Sequence, residues 1–351
     1  MADWEKNIRK AVPYVPGEQP KEKDIIKLNT NENPYPPSPA VKEALAALDH
    51  KDLRLYPAPD AAELVEAIAA EYGVKPAEVF VGVGSDDVLS MAFLTFFNSD
   101  RPILFPEITY SFYDVWADIH LISYETVPLR EDFSIDPEDY KRENGGIVIA
   151  NPNAPTGVCE TVETIEEIVK ANPASIVIVD EAYIDFGGQS CLPLIHKYDN
   201  LLVVQTFSKS RSMAGMRIGF AIGSAPLIKY LNDVKFSINS YTMSRAAIAA
   251  GAAAARDSEY YKGICAKICK TREHAKNALT RLGFEFPDSK SNFIFAKHKT
   301  VEAKKIFEEL KKRGIYVRYW DKPLIKDYLR ITVGTSTEMQ KLFDALTEIL
   351  K

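Results

Sequence analysis

Seven short apolar runs punctuate the first two thirds of the chain, at residues 79–83, 102–105, 121–124, 146–150, 176–179, 201–205 and 218–222. Stretches with helical spacing lie between several of them, for example 86–97, 110–119 and 161–171. A strand wet on one face alternates apolar and polar residues; these runs are apolar almost throughout, so both faces must be covered. Such strands separated by helices predict an α/β chain with a mostly parallel sheet covered by helices.

The rest of the chain has a different texture. Residues 1–39 carry Pro13, Pro16 and Pro20, then Asn33-Pro34-Tyr35-Pro36-Pro37-Ser38-Pro39. Proline at this density works against helices and strand ladders, so the segment is expected to be an arm wrapped over other parts. Helices are expected at 40–48, opened by Ser38-Pro39, and at 63–72, stopped by Gly73. A long helical tract at 246–255 and 260–282 is followed by short strands near 292–296, 316–319 and 329–333. The last helix puts Met339, Leu342, Phe343, Leu346, Ile349 and Leu350 on one face, with a capping box at Thr335 and Glu338. One core rarely grows beyond about 300 residues. The expected division is an arm (1–39), packing with the smaller domain and a partner subunit, a large domain (40–250) and a smaller α/β domain (251–351).

Charge and cysteine usage exclude several classes of function. With 43 Lys+Arg against 49 Asp+Glu the net charge is -6, which offers no footprint for nucleic acid. The start, Met1-Ala2-Asp3-Trp4-Glu5-Lys6, lacks the apolar stretch of a signal peptide. The longest small-apolar run, 246–255, contains Gly251 and is too short to span a bilayer. Four cysteines (159, 191, 265, 269) suggest no disulfide scaffold, and five scattered histidines no metal site. A cytoplasmic protein with no metal, membrane or nucleic-acid partner is expected.

Ligands of open α/β sheets sit beyond the carboxyl ends of the strands. Here those ends run into Asn151-Pro152-Asn153-Ala154-Pro155-Thr156-Gly157, into Asp180-Glu181-Ala182-Tyr183, and into Thr206-Phe207-Ser208-Lys209-Ser210. Singly, Asp180 could cap a turn and Lys209 could be a solvated loop residue; together at the ends of one sheet they read as a site. A fourth element, Gly82-Val83-Gly84-Ser85-Asp86, joins a strand to a helix and offers backbone N–H groups to an anion. It is neither a dinucleotide fingerprint, since Asp87 holds the third glycine position, nor a Walker loop, since no lysine follows. Anion turn, lysine and aspartate fit pyridoxal phosphate, which needs an amine for a Schiff base and an acid beside its ring nitrogen. Ser208 and Arg217 stand near enough to Lys209 to complete a phosphate cradle. Lys209, once displaced, is free to act as the general base.

The segments 151–157, 180–183 and Ser208-Lys209-Ser210-Arg211-Ser212-Met213-Ala214-Gly215-Met216-Arg217-Ile218-Gly219 resemble the fold-type I aminotransferases. More narrowly, Asn31-Glu32-Asn33-Pro34, Arg54-Leu55-Tyr56-Pro57, Gly84-Ser85-Asp86-Asp87, Pro106-Glu107-Ile108-Thr109-Tyr110 and 329–335 resemble the histidinol-phosphate aminotransferases. The resemblance implies that Lys209 carries the cofactor and shuttles a proton, that Asp180 pairs with the ring nitrogen, and that Tyr183 bonds the ring hydroxyl. Tyr110 is to stack on the ring. Ser85, Asp86, Thr206, Ser208 and Arg217 are to hold the cofactor on its phosphate side. Tyr56 is to reach the phosphate in the neighbouring subunit, which implies a homodimer with shared active sites. Arg330 is to bind the substrate's distal anion, helped by Tyr14, Arg318 and Asn33.

One departure stands out. Where the family has a second Asn before Pro, this chain has Ala154. That leaves the ring-hydroxyl contact to Asn153 or to Tyr183 alone, and losing such a bond costs about 1.5–3 kcal/mol. The implied reaction is amino transfer from L-histidinol phosphate to 2-oxoglutarate. Aromatic amino-acid transamination and threonine-phosphate decarboxylation on the same fold are the alternatives. A ligand-sensing regulator would need a basic DNA-binding segment, which the sequence does not show.

Overall fold

The computed structural model describes residues 3–22 and 24–351. The arm and the charged start expected at 1–39 are therefore described except for Met1, Ala2 and Lys23, which lie outside the described residues. In chain order the first elements are β1 (Ile26–Lys27), α1 (Pro39–Ala46), α2 (Ala62–Tyr72), β2 (Val79–Gly82), α3 (Ser85–Phe96) and β3 (Ile103–Pro106). Next come α4 (Tyr113–His120), β4 (Tyr124–Val127), β5 (Gly146–Ala150), α5 (Val162–Ala171), β6 (Val177–Asp180), β7 (Leu201–Thr206) and β8 (Gly219–Gly223). Five helices and five strands complete the chain: α6 (Ala225–Ile238), α7 (Arg245–Arg256), α8 (Ser258–Arg281), β9 (Phe284–Glu285), β10 (Phe293–His298), α9 (Ala303–Lys312), β11 (Ile315–Tyr316), β12 (Arg318–Tyr319), β13 (Leu329–Thr332) and α10 (Ser336–Ile349).

Seven strands form one sheet in the order β2-β8-β7-β6-β5-β3-β4. All neighbours are parallel except β8, which runs against both β2 and β7. The fold is thus α/β with a mostly parallel sheet, as the apolar runs require. The central strands β5, β6 and β7 are buried along their whole length, and each face of the sheet has its own core. One face packs Ile147, Ile149, Val177 and Val179 with Leu64, Ile68, Ile165 and the small residues of α7. The other packs Val148, Ile178, Leu202 and Val204 with Phe93, Tyr113, Trp116 and Leu231 of α3, α4 and α6.

A third core lies beyond α7. There α8, α9 and α10 cover a four-stranded sheet ordered β12-β13-β10-β9. The break between α7 and α8 is Asp257, whose carboxylate takes the hydroxyl of Ser38, the N-cap of α1.

Several expected bounds shift for physical reasons. The strand expected at 121–124 begins only at Tyr124, because Leu121 ends α4 in a left-handed conformation (φ 61°) with its N–H turned back on α4 carbonyls. The helix expected from 110 begins at Tyr113, leaving Tyr110 in a turn. The arm is also not free of ladder. Residues 21–33 contain no proline, and within them β1 pairs in parallel with β11. Leu28 continues the pairing, donating to Tyr316 O at 2.7 Å and accepting from Thr332 N at 2.9 Å.

Candidate active site

The carboxyl ends of β5, β6 and β7, the start of α3, the arm and the strands β12 and β13 enclose a cavity of about 460 Å³. It brings together Tyr14, Ser85, Asp86, Tyr110, Asp180, Tyr183, Thr206, Ser208, Lys209, Arg217, Arg318 and Arg330 of the residues expected from sequence. Three others do not line it. Asn33 gives its amide to the carbonyls of Lys209 (3.0 Å) and Ser210 (3.3 Å). Asn153 is buried, donating to Ile108 O at 2.9 Å and Thr156 Oγ1 at 3.1 Å. Tyr56 stands 76% exposed on the surface, stacked on Tyr241 with ring centres 4.5 Å apart.

Asp180 ends β6 and is buried. Its Oδ2 accepts the Tyr113 hydroxyl at 2.9 Å and its Oδ1 the Ala182 N–H at 3.1 Å. Burial pushes its pKa up to about 6, against those two bonds, which favour the charged form. Lys209 Nζ donates to Thr30 O at 3.3 Å and lies 5.6 Å from the centre of the Tyr183 ring. The Tyr183 hydroxyl accepts from Asn31 Nδ2 at 2.9 Å. Of the two groups that sequence left open for a ring hydroxyl, only Tyr183 faces the cavity, beside Ala154.

The anion turn is tightly constructed. Gly84 has φ 89°, and a Cβ there would meet Arg217 Nη2 at 2.5 Å. A Cβ on Gly219 would meet the Gly84 carbonyl carbon and the Ser85 nitrogen at 2.3 Å, so the turn can rest on β8 only because that residue is glycine. α3 begins at Ser85, so its first N–H groups have no intrahelical acceptor. Thr206 Oγ1 and Ser208 Oγ lie 3.1 Å apart beside it. Asp86 takes the Tyr110 hydroxyl at 2.8 Å and Arg217 Nη2 at 3.1 Å. Burial, then the Asp86 charge, pushes the Tyr110 pKa well up, so this phenol is a donor at neutral pH.

On the opposite wall the half-buried Arg330 lies between Phe293 and Trp320, its guanidinium 5.3 and 5.2 Å from their ring centres. Nη2 donates to Asn29 O at 3.0 Å, while Nε has no partner among the described residues. Burial pulls its pKa below the ordinary arginine value. Arg318 donates to the carbonyls of Val15 (3.0 Å) and Pro16 (3.2 Å), fixing the arm near Tyr14.

Behind the lysine runs a buried polar chain. Arg211 Nη2 bonds Glu71 Oε1 and the Tyr72 hydroxyl, each at 2.8 Å, and its guanidinium lies 4.1 Å from the Tyr261 ring centre. Tyr72 continues to Gln205 at 2.6 Å, and Gln205 to Glu181 at 2.8 Å. The loop after Lys209 is thereby tied to α2, β6, β7 and α8.

The cavity suits a flat group bearing a phosphate, a carbonyl and a basic ring nitrogen. A helix start with an arginine suits the phosphate, an amine the carbonyl, and a buried carboxylate, bonded to no cation among the described residues, the nitrogen. Sequence reasoning missed Tyr113, which aromatic spacing assigns to the core, and Thr30 and Asn31, whose contacts lie far away in the chain. Among the described residues no cluster of His, Cys, Asp and Glu could hold a metal ion, and no helix is long and apolar enough to cross a membrane.

The chain belongs to the class I and II aminotransferases, whose family model matches residues 23–346. Its relatives narrow the class. A histidinol-phosphate aminotransferase of Lactococcus lactis subsp. cremoris is 51% identical over 348 residues, covering 99% of this chain and 98% of the relative. One of Clostridium beijerinckii is 51% identical over 347 residues, covering 99% and 97%. The fold matches the histidinol-phosphate aminotransferase of Sinorhizobium meliloti, solved with pyridoxal-5'-phosphate, at a TM-score of 0.87 and 24% identity over 97% of this chain and 95% of that one. The Clostridium acetobutylicum enzyme matches at 0.84 and 23% over 93% and 99%.

Proposed function

We infer that this chain is a pyridoxal-phosphate-dependent aminotransferase that moves the amino group of L-histidinol phosphate to 2-oxoglutarate, giving imidazole acetol phosphate and glutamate in histidine biosynthesis. The observation that carries the reading is the placing of Lys209 and Asp180 in one cavity beside the anion turn of α3, in a chain half identical to enzymes of that name.

The roles follow from the donor set. Ser85, Asp86, Thr206, Ser208 and Arg217 hold the phosphate, the first two through backbone N–H. Asp180, held by Tyr113, pairs with the ring nitrogen; a cation there relieves the burial cost that now raises its pKa. Tyr183, oriented by Asn31, donates to the ring hydroxyl, and Tyr110 covers the ring face. Pyridoxal phosphate supplies the electron sink for the pair left when the substrate Cα–H bond breaks. Lys209 Nζ would take that proton from Cα and deliver it to the cofactor carbon on the far side of the shared nitrogen. Arg330, with Arg318 and Tyr14, binds the substrate's anion; its unpartnered Nε and planar fork suit phosphate and carboxylate alike. Asn33 serves by fixing the backbone of Lys209 and Ser210, and Asn153 by bracing the loop that presents Ala154.

The assembly in this reading is a cytoplasmic homodimer. Tyr56, Leu53, Leu55 and Tyr241 are exposed apolar residues, which supports a subunit face from which Tyr56 reaches the partner's phosphate site. All four cysteines are free, in keeping with a reducing compartment. The arm (1–39), large domain (40–250) and small domain (251–351) belong to the same reading. The test is the visible spectrum of the purified enzyme with L-histidinol phosphate and no keto acid. The cofactor band should vanish as the amino form appears; a band indifferent to this donor would overturn the substrate.

A further inference from the structure

The cavity is rich in positive charge. Lys209, Arg217, Arg318 and Arg330 line it, against three carboxylates: Asp86, Asp180 and Glu32. Two of the three are engaged elsewhere, Asp86 by Arg217 and Tyr110 and Asp180 by Tyr113 and Ala182. Glu32 is coupled to the lysine through Thr30. Lys209 Nζ donates to the Thr30 carbonyl at 3.3 Å, and Thr30 Oγ1 donates to Glu32 Oε2 at 2.9 Å. On the far side Lys27 Nζ donates to Thr30 Oγ1 at 2.8 Å and also to Glu32. Lys209, Glu32 and Lys27 thus form a row of alternating charge with Thr30 at its centre.

The loop holding this row has little freedom. Asn31 (φ 57°) is pinned through its N–H to Thr332 at 3.0 Å and through its carbonyl to Asn292 at 3.0 Å. Asn33 is tied to the backbone of Lys209 itself. Glu32, between them, cannot drift from the lysine without breaking those bonds.

We propose that Glu32 is a positioning residue which, through Thr30, holds the proton on Lys209 Nζ. The proposal rests on the reading of Lys209 as the amine that joins the cofactor. A nearby carboxylate favours the charged form of a nitrogen, and a nearby cation disfavours it. Asp180 and Asp86 act in the same direction as Glu32, while the three arginines and Lys27 oppose it. Tyr14, Tyr110 and Tyr183 are the phenols on the cavity wall, and burial holds the Tyr110 phenol well above its usual pKa, so that it adds no charge at neutral pH. Burial raises the Glu32 pKa, but the Lys27 and Thr30 bonds and the charges of Lys27 and Lys209 outweigh it, so this carboxylate stays ionised.

The test is a pH titration of the visible band of the loaded enzyme without substrate, for the parent, Glu32→Gln, Thr30→Val and Lys27→Met. The midpoint should fall by about 0.5–1 pH unit in Glu32→Gln, the effect of a nearby charge partly screened by solvent. It should fall by less in Thr30→Val and rise in Lys27→Met. Opposite signs are the signature of charge, since a loosened loop would move all three the same way. A Glu32→Gln midpoint within about 0.2 unit of the parent, or one moving in step with Lys27→Met, would overturn the proposal. If the parent itself forms no band with pyridoxal phosphate, the reading of Lys209 fails separately. Glu32 is then judged by the pH at which acetic anhydride half-labels Lys209: a lower value in Glu32→Gln supports the coupling, and an unmoved one overturns it.

Discussion

Replacing Asp180 by Asn should set stability and function against each other. Among the described residues the carboxyl is bonded only to Tyr113 and Ala182, and burial raises its pKa from 3.8 to about 6. At 1.36 kcal/mol per pH unit, the ionised form is about 3 kcal/mol less favourable in the fold than in the open chain. The folded value lies above the unfolded one, so the fold binds the extra proton between roughly pH 4 and 6 and loses stability as pH rises through that window. Above it the penalty is complete; below it there is none. Asn carries no charge at either extreme, and its amide keeps most of the hydrogen bonding at a loss of about 1 kcal/mol. Stripped of cofactor, Asp180→Asn should therefore exceed the parent by about 2 kcal/mol at pH 8, or about 3 °C in melting temperature for a chain this long. At pH 4 it should fall slightly short. The loaded enzyme should go the other way, with kcat down about 10²–10³-fold, as when one group placed against developing charge is lost. Thermal melts at both pH values decide it. A variant that melts below the parent by equal margins at pH 4 and pH 8 would refute the reasoning that burial governs this carboxyl.

Three further outcomes follow from single contacts. Lys209→Ala should abolish turnover and the cofactor's covalent attachment, yet melt within a few degrees of the parent, because the amine makes one 3.3 Å bond to the fold. Reductive trapping with borohydride followed by peptide mass would show a label at Lys209 in the parent alone. Gly219→Ala should push the anion turn off β8 at a cost of about 1–3 kcal/mol and weaken pyridoxal phosphate binding tenfold or more, read by spectral titration. Arg211→Met should cost about 3–5 kcal/mol by leaving Glu71 buried without its cation, and pairing it with Glu71→Gln should recover much of that in denaturant melts.

The parts of the site legible in sequence are those that local pattern fixes. A buried parallel strand announces itself by an unbroken apolar run, and the polar residue after the run stands at the carboxyl edge of the sheet. Asp180 and Lys209 could be found in that way, as could the turn before Ser85. Tyr113 could not, because an aromatic at helical spacing next to Phe112 and Trp116 carries no mark of where its hydroxyl points. The bond from Asn31 to Tyr183 joins residues 152 apart, and nothing near either position encodes it. Asn153 shows the reverse limit. Its place in a family motif suggests a cofactor ligand, but both amide donors are spent on Ile108 and Thr156. The strand at Ile26–Lys27 was hidden by the prolines on either side and by a partner near residue 315.

The stitching of residues 26–33 into β11, β13 and Asn292 bears on how the enzyme is made. Asn31 leaves the ribosome early, but its partner Thr332 follows 301 residues later. At cellular synthesis rates of about 5–20 residues per second, that is a delay of roughly 15–60 s. Over roughly the last third of it, once β8 is made, the main sheet can fold, with Asp180 and Lys209 in place, while Thr30 and Glu32 wait for the segment that anchors their loop. The surroundings of Lys209 are therefore completed by translation itself, and a chain stalled before Leu329 would hold that amine without its finished wall.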